Sequence, residues 1–128
     1  MRVKSNIDSG LSQANQEMGI AALDLSSEWL DNNNEVYRKR RDKVVSVLNE
    51  IGVPAVAPKG ALYIWTPIPE GYTSAEYAQK LLDEVNVVVT PGNGYGPGGE
   101  GYIRLSLTIA DDQIDEGLRR LSQLRSNA

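Results

Sequence analysis

The segment GEGYIRLSLT, residues 99–108, places one arginine among residues that alternate between apolar and polar. A period of two is typical of a half-buried strand, with the apolar residues on one face and Arg104 on the other. Arginine is always charged, so a half-buried Arg104 needs an anion. A carboxylate suits it, because the planar guanidinium can bind both carboxylate oxygens. The residues leave open whether that carboxylate belongs to the chain, as Glu100 does, or to a ligand.

The loop before this strand is rich in glycine. Gly94, Gly96 and Gly99 match the pattern G-x-G-x-x-G. A dinucleotide-binding fingerprint would need a helix after the loop, whereas an alternating segment follows. A Walker loop is excluded as well, because no Gly-Lys-Ser/Thr follows. We therefore expect a tight loop with positive φ angles, either as a simple turn or as one wall of a pocket.

Gly60 and Ala61 are further candidates, at the head of the segment GALYIWT, residues 60–66. Its aromatic and β-branched residues predict a strand that the following prolines end. The two small residues either pack under a crossing helix or let a ligand approach the backbone. Tyr63 and Trp65 share one face of this strand, and we predict that they belong to the core.

The composition excludes several kinds of chemistry. The 128 residues include no Cys and no His, which excludes disulfides, thiol nucleophiles, Ser-His-Asp triads and zinc sites built on Cys or His. The net charge of −4 argues against nucleic acid as a partner. The one basic run, residues 38–41, is predicted to be a solvated helix face. No apolar run reaches the ~18 residues of a membrane span. With no secretory signal either, we expect a cytoplasmic protein without a membrane partner.

Helices and a small sheet have to position these residues. Helical spacing predicts one helix over residues 11–30, a break at residues 32–34, and a second helix over residues 35–51. A capping box at Thr73 and Glu76 opens a third helix, residues 87–90 form a short strand, and a last helix begins at residue 111 or 112. This order predicts an α+β fold, a small β-sheet with mixed strand directions packed with helices. The apolar stripes expected to face the core are Tyr37, Val44, Val47, Leu48 and Ile51; Tyr77, Ala78, Leu81, Leu82 and Val85; and Ile114, Leu118, Leu121 and Leu124.

Three segments together resemble a known family: VKSNIDSG at residues 3–10, PKGALYIW at 58–65 and VVVTPGNGYGPGGEGYIRLSLT at 87–108. They are similar to the fold-type I pyridoxal-phosphate-dependent aminotransferases of classes I and II, and most closely to their LL-diaminopimelate aminotransferase branch. The likeness covers essentially the whole chain. It implies that residues 35–128 are the C-terminal small domain. Residues 1–34 would then be a remnant of the large-domain edge and the connecting helix.

The resemblance also implies roles for individual residues. Arg104 matches the arginine that binds the α-carboxylate of the amino acid or 2-oxo acid substrate. Gly60 and Ala61 match a strand that borders the substrate pocket. Asn6 matches a residue that reaches toward the active site of a dimer mate, so a homo-oligomer is expected. The implied reaction is amino group transfer between an amino acid and a 2-oxo acid.

One departure from the family has a large consequence. Pyridoxal phosphate forms a Schiff base with a lysine, usually in a Ser-x-x-Lys setting, and none of the five lysines here has Ser three positions before it. The family's other cofactor-binding residues belong to the large domain and are also missing. We therefore expect a C-terminal portion that alone neither binds the cofactor covalently nor transaminates. The alternative is a stand-alone, non-catalytic carboxylate-binding module or an accessory subunit of a split enzyme.

Without a large domain, apolar surface should be uncovered. We expect this on the helix predicted over residues 11–30 and on the strand face that bears Arg104. Exposed apolar patches favour self-association, which also predicts a dimer or a larger oligomer.

Overall fold

The computed structural model describes residues 10–126, and the chain divides into two compact units, residues 1–35 and 36–128. In the first unit, helix α1 spans Gln13–Leu23. Helix α2 spans Ser27–Glu50, so its first residues belong to this unit and the others to the second. Every described residue from 10 to 34 is exposed. The expected exposure of apolar side chains is observed there, and Leu23 is 88% exposed.

The predicted helix boundaries in this region are wrong. Helix α1 ends at Leu23, and α2 runs without interruption through the asparagines at 32–34. The start signal lies instead at Ser26, whose hydroxyl accepts a hydrogen bond from the N–H of Trp29 (3.2 Å). Asparagine inside a helix costs only about 0.7 kcal/mol relative to alanine. Three asparagines therefore do not end a helix when residues that favour helix formation flank them on both sides.

In the second unit, three short strands form one sheet. Strands β1 (Tyr63–Pro67), β2 (Thr90–Pro91) and β3 (Tyr102–Ser106) lie in the order β1-β3-β2. Both pairings are antiparallel, whereas mixed strand directions were expected. Strand β1 begins three residues later than predicted, because Ala61 has a φ of +76° and breaks the extended backbone. The α+β class is confirmed.

Two further helices complete this unit. Helix α3 spans Ser74–Val85 and begins with the predicted capping box, in which Thr73 and Glu76 satisfy each other's backbone N–H groups. It ends at Asn86, which adopts the left-handed conformation. Helix α4 spans Asp111–Leu121, as predicted from its first acidic residues. Short 3-10 turns cover residues 92–95, 97–99 and 122–126.

The core lies on one face of the sheet, where the helices cover it. Ile64 and Ile103 from the sheet are fully buried, and so are Leu48 and Leu81 from the helices. Burying such a side chain contributes about 1.5–3 kcal/mol. The predicted stripes are confirmed apart from Leu82, which is 40% exposed. The opposite face of the sheet carries Arg104.

The basic run at residues 38–41 is more than a solvated face. The side chain of Arg40 is only 15% exposed. It donates hydrogen bonds to the Asp111 carboxylate (2.6 Å) and to the Leu107 carbonyl (2.9 Å). Arg41 donates to the Pro58 carbonyl (3.1 Å). The interpretation as a purely solvated face is therefore wrong for these two, which join α2 to the start of α4 and to the segment before β1. Arg38 fits it, being 54% exposed and paired with Asp42 on the same helix.

Neither a membrane span nor a metal cluster is found in the described part of the chain. Its helices are too short or too polar to cross a bilayer. Between residues 10 and 126, no three metal-binding side chains come together.

Candidate functional site

Arg104 lies at the centre of the sheet. It is in the middle of β3, opposite Trp65 on β1 and Thr90 on β2. Its neighbour Ile103 points into the core, so the strand alternation turns Arg104 to the opposite face, which no helix among residues 10–126 covers. The residue is half-buried there. A charged group thus lies on the central strand of the sheet and points to the more exposed face.

Aromatic rings surround the guanidinium. Its carbon lies 4.1 Å from the ring centroid of Tyr63 and 4.8 Å from that of Tyr95. Trp65 makes an edge contact with Tyr95 (5.7 Å between centroids) and stacks on Tyr102 (5.6 Å). We call these four rings together with Arg104 the aromatic–arginine face. The prediction that Tyr63 and Trp65 belong to the core is wrong, since they are 39% and 40% exposed.

Tyr95 is the member of this face that no pattern in the sequence predicts. It comes from the glycine-rich loop, nine residues before Arg104, and local periodicity does not predict where a loop residue folds back. The available signal is its position as a single bulky aromatic residue in a loop built of Gly, Asn and Pro. A bulky aromatic ring favours contact with other side chains, and the ring of Tyr95 packs against Arg104 and Trp65.

No carboxylate of residues 10–126 pairs with Arg104, and within that range its side chain makes no hydrogen bond. The contacts with Tyr63 and Tyr95 are cation–π contacts, which engage the face of a guanidinium and not its N–H groups. Five N–H donors therefore remain without an acceptor in the described chain. A half-buried cation in this state is suited to an external anion.

Glu100, the chain carboxylate considered as a partner for Arg104, is engaged elsewhere. Its Oε1 accepts from the backbone N–H groups of Ser74 (2.7 Å) and Gly101 (3.1 Å), and its Oε2 accepts from the Ser74 hydroxyl (3.0 Å). The hydrogen bond from the Ser74 N–H, followed by that from Gly101, lowers the pKa of Glu100. This carboxylate holds the start of α3 and does not neutralise Arg104. Among residues 10–126 no chain carboxylate is the partner of Arg104, and a ligand carboxylate stays a prediction.

The role of Glu100 predicts an acid-dependent loss of stability. Its folded pKa lies below the ordinary value of 4.5, so its contribution is complete above about pH 4.5 and is lost as pH falls through the folded pKa. Other carboxylates, including Glu116 with a pKa of about 2, add to the same slope. Glu100→Gln should therefore lower stability at pH 7 and flatten its decline between pH 5 and 3. Urea unfolding at several pH values checks this. The exposed loop residue Glu70 provides the control, and Glu70→Gln should keep the wild-type stability at pH 7. An unchanged slope in Glu100→Gln would contradict the assignment.

The glycine loop is closed by a backbone contact. Gly92 and Gly99 are both buried, and a Cβ on either one would overlap the carbonyl oxygen of the other. Positive φ angles at Gly96 (+108°) and Gly101 (+84°) turn the chain back toward β3. The Asn93 N–H also donates to the Ser74 hydroxyl (3.3 Å). The expectation of a tight loop with positive φ is confirmed, and the loop places Tyr95 beside Arg104.

Gly60 and Ala61 lie just before β1, and both are exposed. A Cβ on Gly60 would meet no atom within 4 Å, so packing under a helix does not explain this glycine. Ala61, with its φ of +76°, is in a region that costs a non-glycine residue about 1 kcal/mol. Neither residue is among the side chains that contact Arg104. Asn6 lies outside the described residues, and its predicted role stays a prediction, as do those of Gly60 and Ala61.

Among the described lysines, two make contacts that do not suit covalent cofactor binding. A Schiff base forms from a neutral amine, which requires a lowered pKa. The Lys43 amine is engaged in an ion pair with Asp115 (2.8 Å). The hydrogen bond between Lys80 and the Tyr72 hydroxyl (2.8 Å) raises the pKa of Lys80. Lys59 is exposed before β1, Lys39 is exposed on α2, and Lys4 lies outside the described residues.

A second arginine lines a cleft elsewhere, and its chemistry differs from that of Arg104. The cleft, of about 460 Å³, lies between the end of α3 and helix α4 and includes Val88 and Arg120. Arg120 is already ion-paired with Glu116 (2.7 Å) and donates to the Asn86 carbonyl (3.1 Å). Glu116 balances the charge of Arg120 within the chain, so the residues of this cleft do not indicate an anion-binding site.

Comparison with known proteins gives one consistent result. Residues 1–121 match the family described as aminotransferase class I and II. An LL-diaminopimelate aminotransferase from Dehalococcoides mccartyi is 55% identical over 127 residues, 99% of this chain and 33% of the relative. A solved aminotransferase from Staphylococcus aureus superimposes with a TM-score of 0.84 at 32% identity, covering 98% of this chain and 33% of that one. The L,L-diaminopimelate aminotransferase from Chlamydomonas reinhardtii gives 0.80 at 32% identity, covering 95% and 30%. The chain thus spans about a third of the length of the curated relatives that it matches.

Proposed function

Because this chain belongs to the class I and II aminotransferases, we propose that it forms the carboxylate-binding part of an enzyme that transfers an amino group between an amino acid and a 2-oxo acid. The observation that carries the proposal is Arg104, a half-buried cation on an open sheet face with no anionic partner in the described residues. An amino acid and its 2-oxo acid product share an α-carboxylate. One arginine can therefore hold the substrate of either half of such a reaction.

Arg104 would bind that carboxylate through two parallel N–H···O bonds. A bidentate contact fixes the plane of the carboxylate as well as its position. It thereby limits rotation of the substrate about the bond between the carboxylate carbon and Cα. Because the reacting hydrogen is on Cα, this orientation lowers the barrier in the manner of other positioning contacts. The role of Arg104 is thus to bind and orient.

The family's full-length enzymes use pyridoxal phosphate, which supplies an electron sink when bound. The ion pair of Lys43 and the raised pKa of Lys80 argue against its attachment to either of these lysines. We propose that residues outside this chain hold the cofactor. The domain boundaries carry over from the sequence, with residues 1–34 as the edge of a large domain and connecting helix and 35–128 as the small domain. The division of the chain at residue 35 supports this.

For the substrate we propose LL-diaminopimelate, on the strength of relatives of that name at 45–55% identity. The test is to purify the native protein that contains this chain from its source cells and to assay it with LL-diaminopimelate, L-phenylalanine and L-alanine as amino donors. Transamination with preference for LL-diaminopimelate is the expected result. Preference for L-phenylalanine would overturn the substrate assignment. Carboxylate binding without any transamination would favour the alternative of a binding module or an accessory subunit.

We propose in addition that the protein is a homo-oligomer in the cytoplasm. Exposed apolar residues support self-association, among them Leu23 at 88% and Trp29 at 50% exposure. Light scattering on the purified native protein should give at least twice the mass of a single native polypeptide. A monomer at high concentration would contradict this.

A further inference from the structure

We propose that Tyr63 and Tyr95 are positioning residues for Arg104, and that their rings hold the guanidinium in the orientation that binds a carboxylate. The inference rests on the proposed function and names two residues that act on the substrate through Arg104. Both rings lie within 5 Å of the guanidinium carbon, at 4.1 and 4.8 Å. They come from different parts of the chain, one from β1 and the other from the glycine loop.

The contacts of the two rings with Arg104 suit a positioning role, because they leave the N–H groups of the guanidinium available for a carboxylate. A ring attracts the face of a guanidinium, whereas a carboxylate binds its edge. The two contacts can therefore exist together. An ion pair within the chain would have fixed the side chain equally well, but it would have competed with the substrate. Holding an arginine by aromatic rings restrains it and keeps its N–H groups available.

Tyr95 is itself firmly held. Trp65 packs against its ring, and the loop that carries it is closed by the Gly92–Gly99 contact. Within the loop, the Gly96 N–H donates to the Asn93 carbonyl (3.1 Å) and the Gly99 N–H donates to the Gly96 carbonyl (2.9 Å). A ring on a rigid loop can restrain a flexible side chain. The entropy that a free arginine would lose on binding substrate has then already been lost on folding.

The ring is the active part of each tyrosine. Among the hydrogen bonds of residues 10–126, none involves the hydroxyl of Tyr63 or Tyr95. Phenylalanine retains the ring and should retain the function, whereas leucine keeps the apolar bulk and removes the π-face. The two substitutions separate positioning from general packing.

The experiment compares Tyr95→Leu, Tyr63→Leu, Tyr95→Phe and Arg104→Gln in the native protein. Its control is Tyr72→Leu, because Tyr72 is 40% exposed, carries its own cation over the ring (Lys80, 4.9 Å) and does not contact Arg104. The readouts are KM and kcat for the amino donor and, independently of turnover, the dissociation constant for pyruvate by calorimetry. Each leucine variant at 63 or 95 should raise KM and the dissociation constant by about fivefold to tenfold with kcat little changed, since a ground-state contact is lost. Tyr95→Phe and Tyr72→Leu should match the wild type.

The outcomes separate this inference from the proposed function. Leucine variants that bind pyruvate like Tyr72→Leu, while Arg104→Gln loses binding, would overturn the positioning role and leave Arg104 as the anchor. Wild-type binding in Arg104→Gln would overturn the proposed function itself. Since Tyr95 is 51% exposed, its leucine variant is expected to fold, and Tyr63→Leu gives a second test if it does not.

Discussion

Arg104→Lys is expected to lower kcat/KM for the amino donor by about 100-fold or more, although the charge is kept. Lysine is a point charge that cannot bind both carboxylate oxygens in one plane, and its ammonium does not stack on rings as a guanidinium does. A hydrogen bond to a charged group is worth about 1.5–3 kcal/mol, and 2.7 kcal/mol corresponds to 100-fold. Losing one of two such bonds together with the contacts to Tyr63 and Tyr95 reaches that range.

The measurement is steady-state kinetics of the native protein and its variants, with unfolding curves to show that the fold is intact. Arg119→Lys is a suitable control. Arg119 makes two hydrogen bonds to Glu116 (2.7 Å each), but it is 61% exposed on α4, where such pairs contribute little. We expect wild-type kinetics from this control. A loss of less than tenfold in Arg104→Lys would be incompatible with bidentate binding.

Gly92→Ala is expected to destabilise the fold by about 3 kcal/mol or more, although it adds a single methyl group. The new Cβ would overlap the Gly99 carbonyl oxygen and lie 2.7 Å from the carbonyl oxygen of Tyr102. Both obstacles are backbone atoms, so no side-chain rotation can relieve the overlap. The loop would have to open, and Tyr95 would leave Arg104. Gly99→Ala should behave in the same way, because the contact is mutual.

The same loop provides the controls. A Cβ on Gly94 or Gly98 would meet no atom within 4 Å, and neither residue has a positive φ. Gly94→Ala and Gly98→Ala should leave stability unchanged or raise it by about 0.4–1 kcal/mol, since alanine restricts the unfolded chain. Urea unfolding of the four variants checks both expectations. Equal stabilities across the four would mean that the Gly92–Gly99 contact does not close the loop.

Much of the fold follows from local patterns. The capping box at Thr73 and Glu76 and the stripes of α2, α3 and α4 each depend on residues within one or two turns, and the structure confirms them except at Leu82. The prediction of a break at residues 32–34 was wrong, because α2 continues through them. Asparagine is a weak signal inside a helix, and the flanking sequence together with the Ser26 hydroxyl outweighed it.

The candidate site was predictable only in part. Alternation identified Arg104 and put Tyr63 and Trp65 on one face of their strand. Alternation does not say which face the helices will cover, so the assignment of these two rings to the core was wrong. Glu100 is a similar case. It is close to Arg104 in sequence, but its carboxylate is held by Ser74, which is 26 residues away.

By itself, the sequence determined the α+β class, the family and the unusual cation at position 104. These depend on residue type and short spacing, which the chain carries in any conformation. Tertiary structure alone decided that Arg104 has no acid partner among residues 10–126 and that Tyr63 and Tyr95 contact it. Tyr95 reaches Arg104 because Gly92 and Gly99 allow two backbone segments to touch. Such an approach depends on how distant segments pack, and a pattern read along the chain does not contain that information.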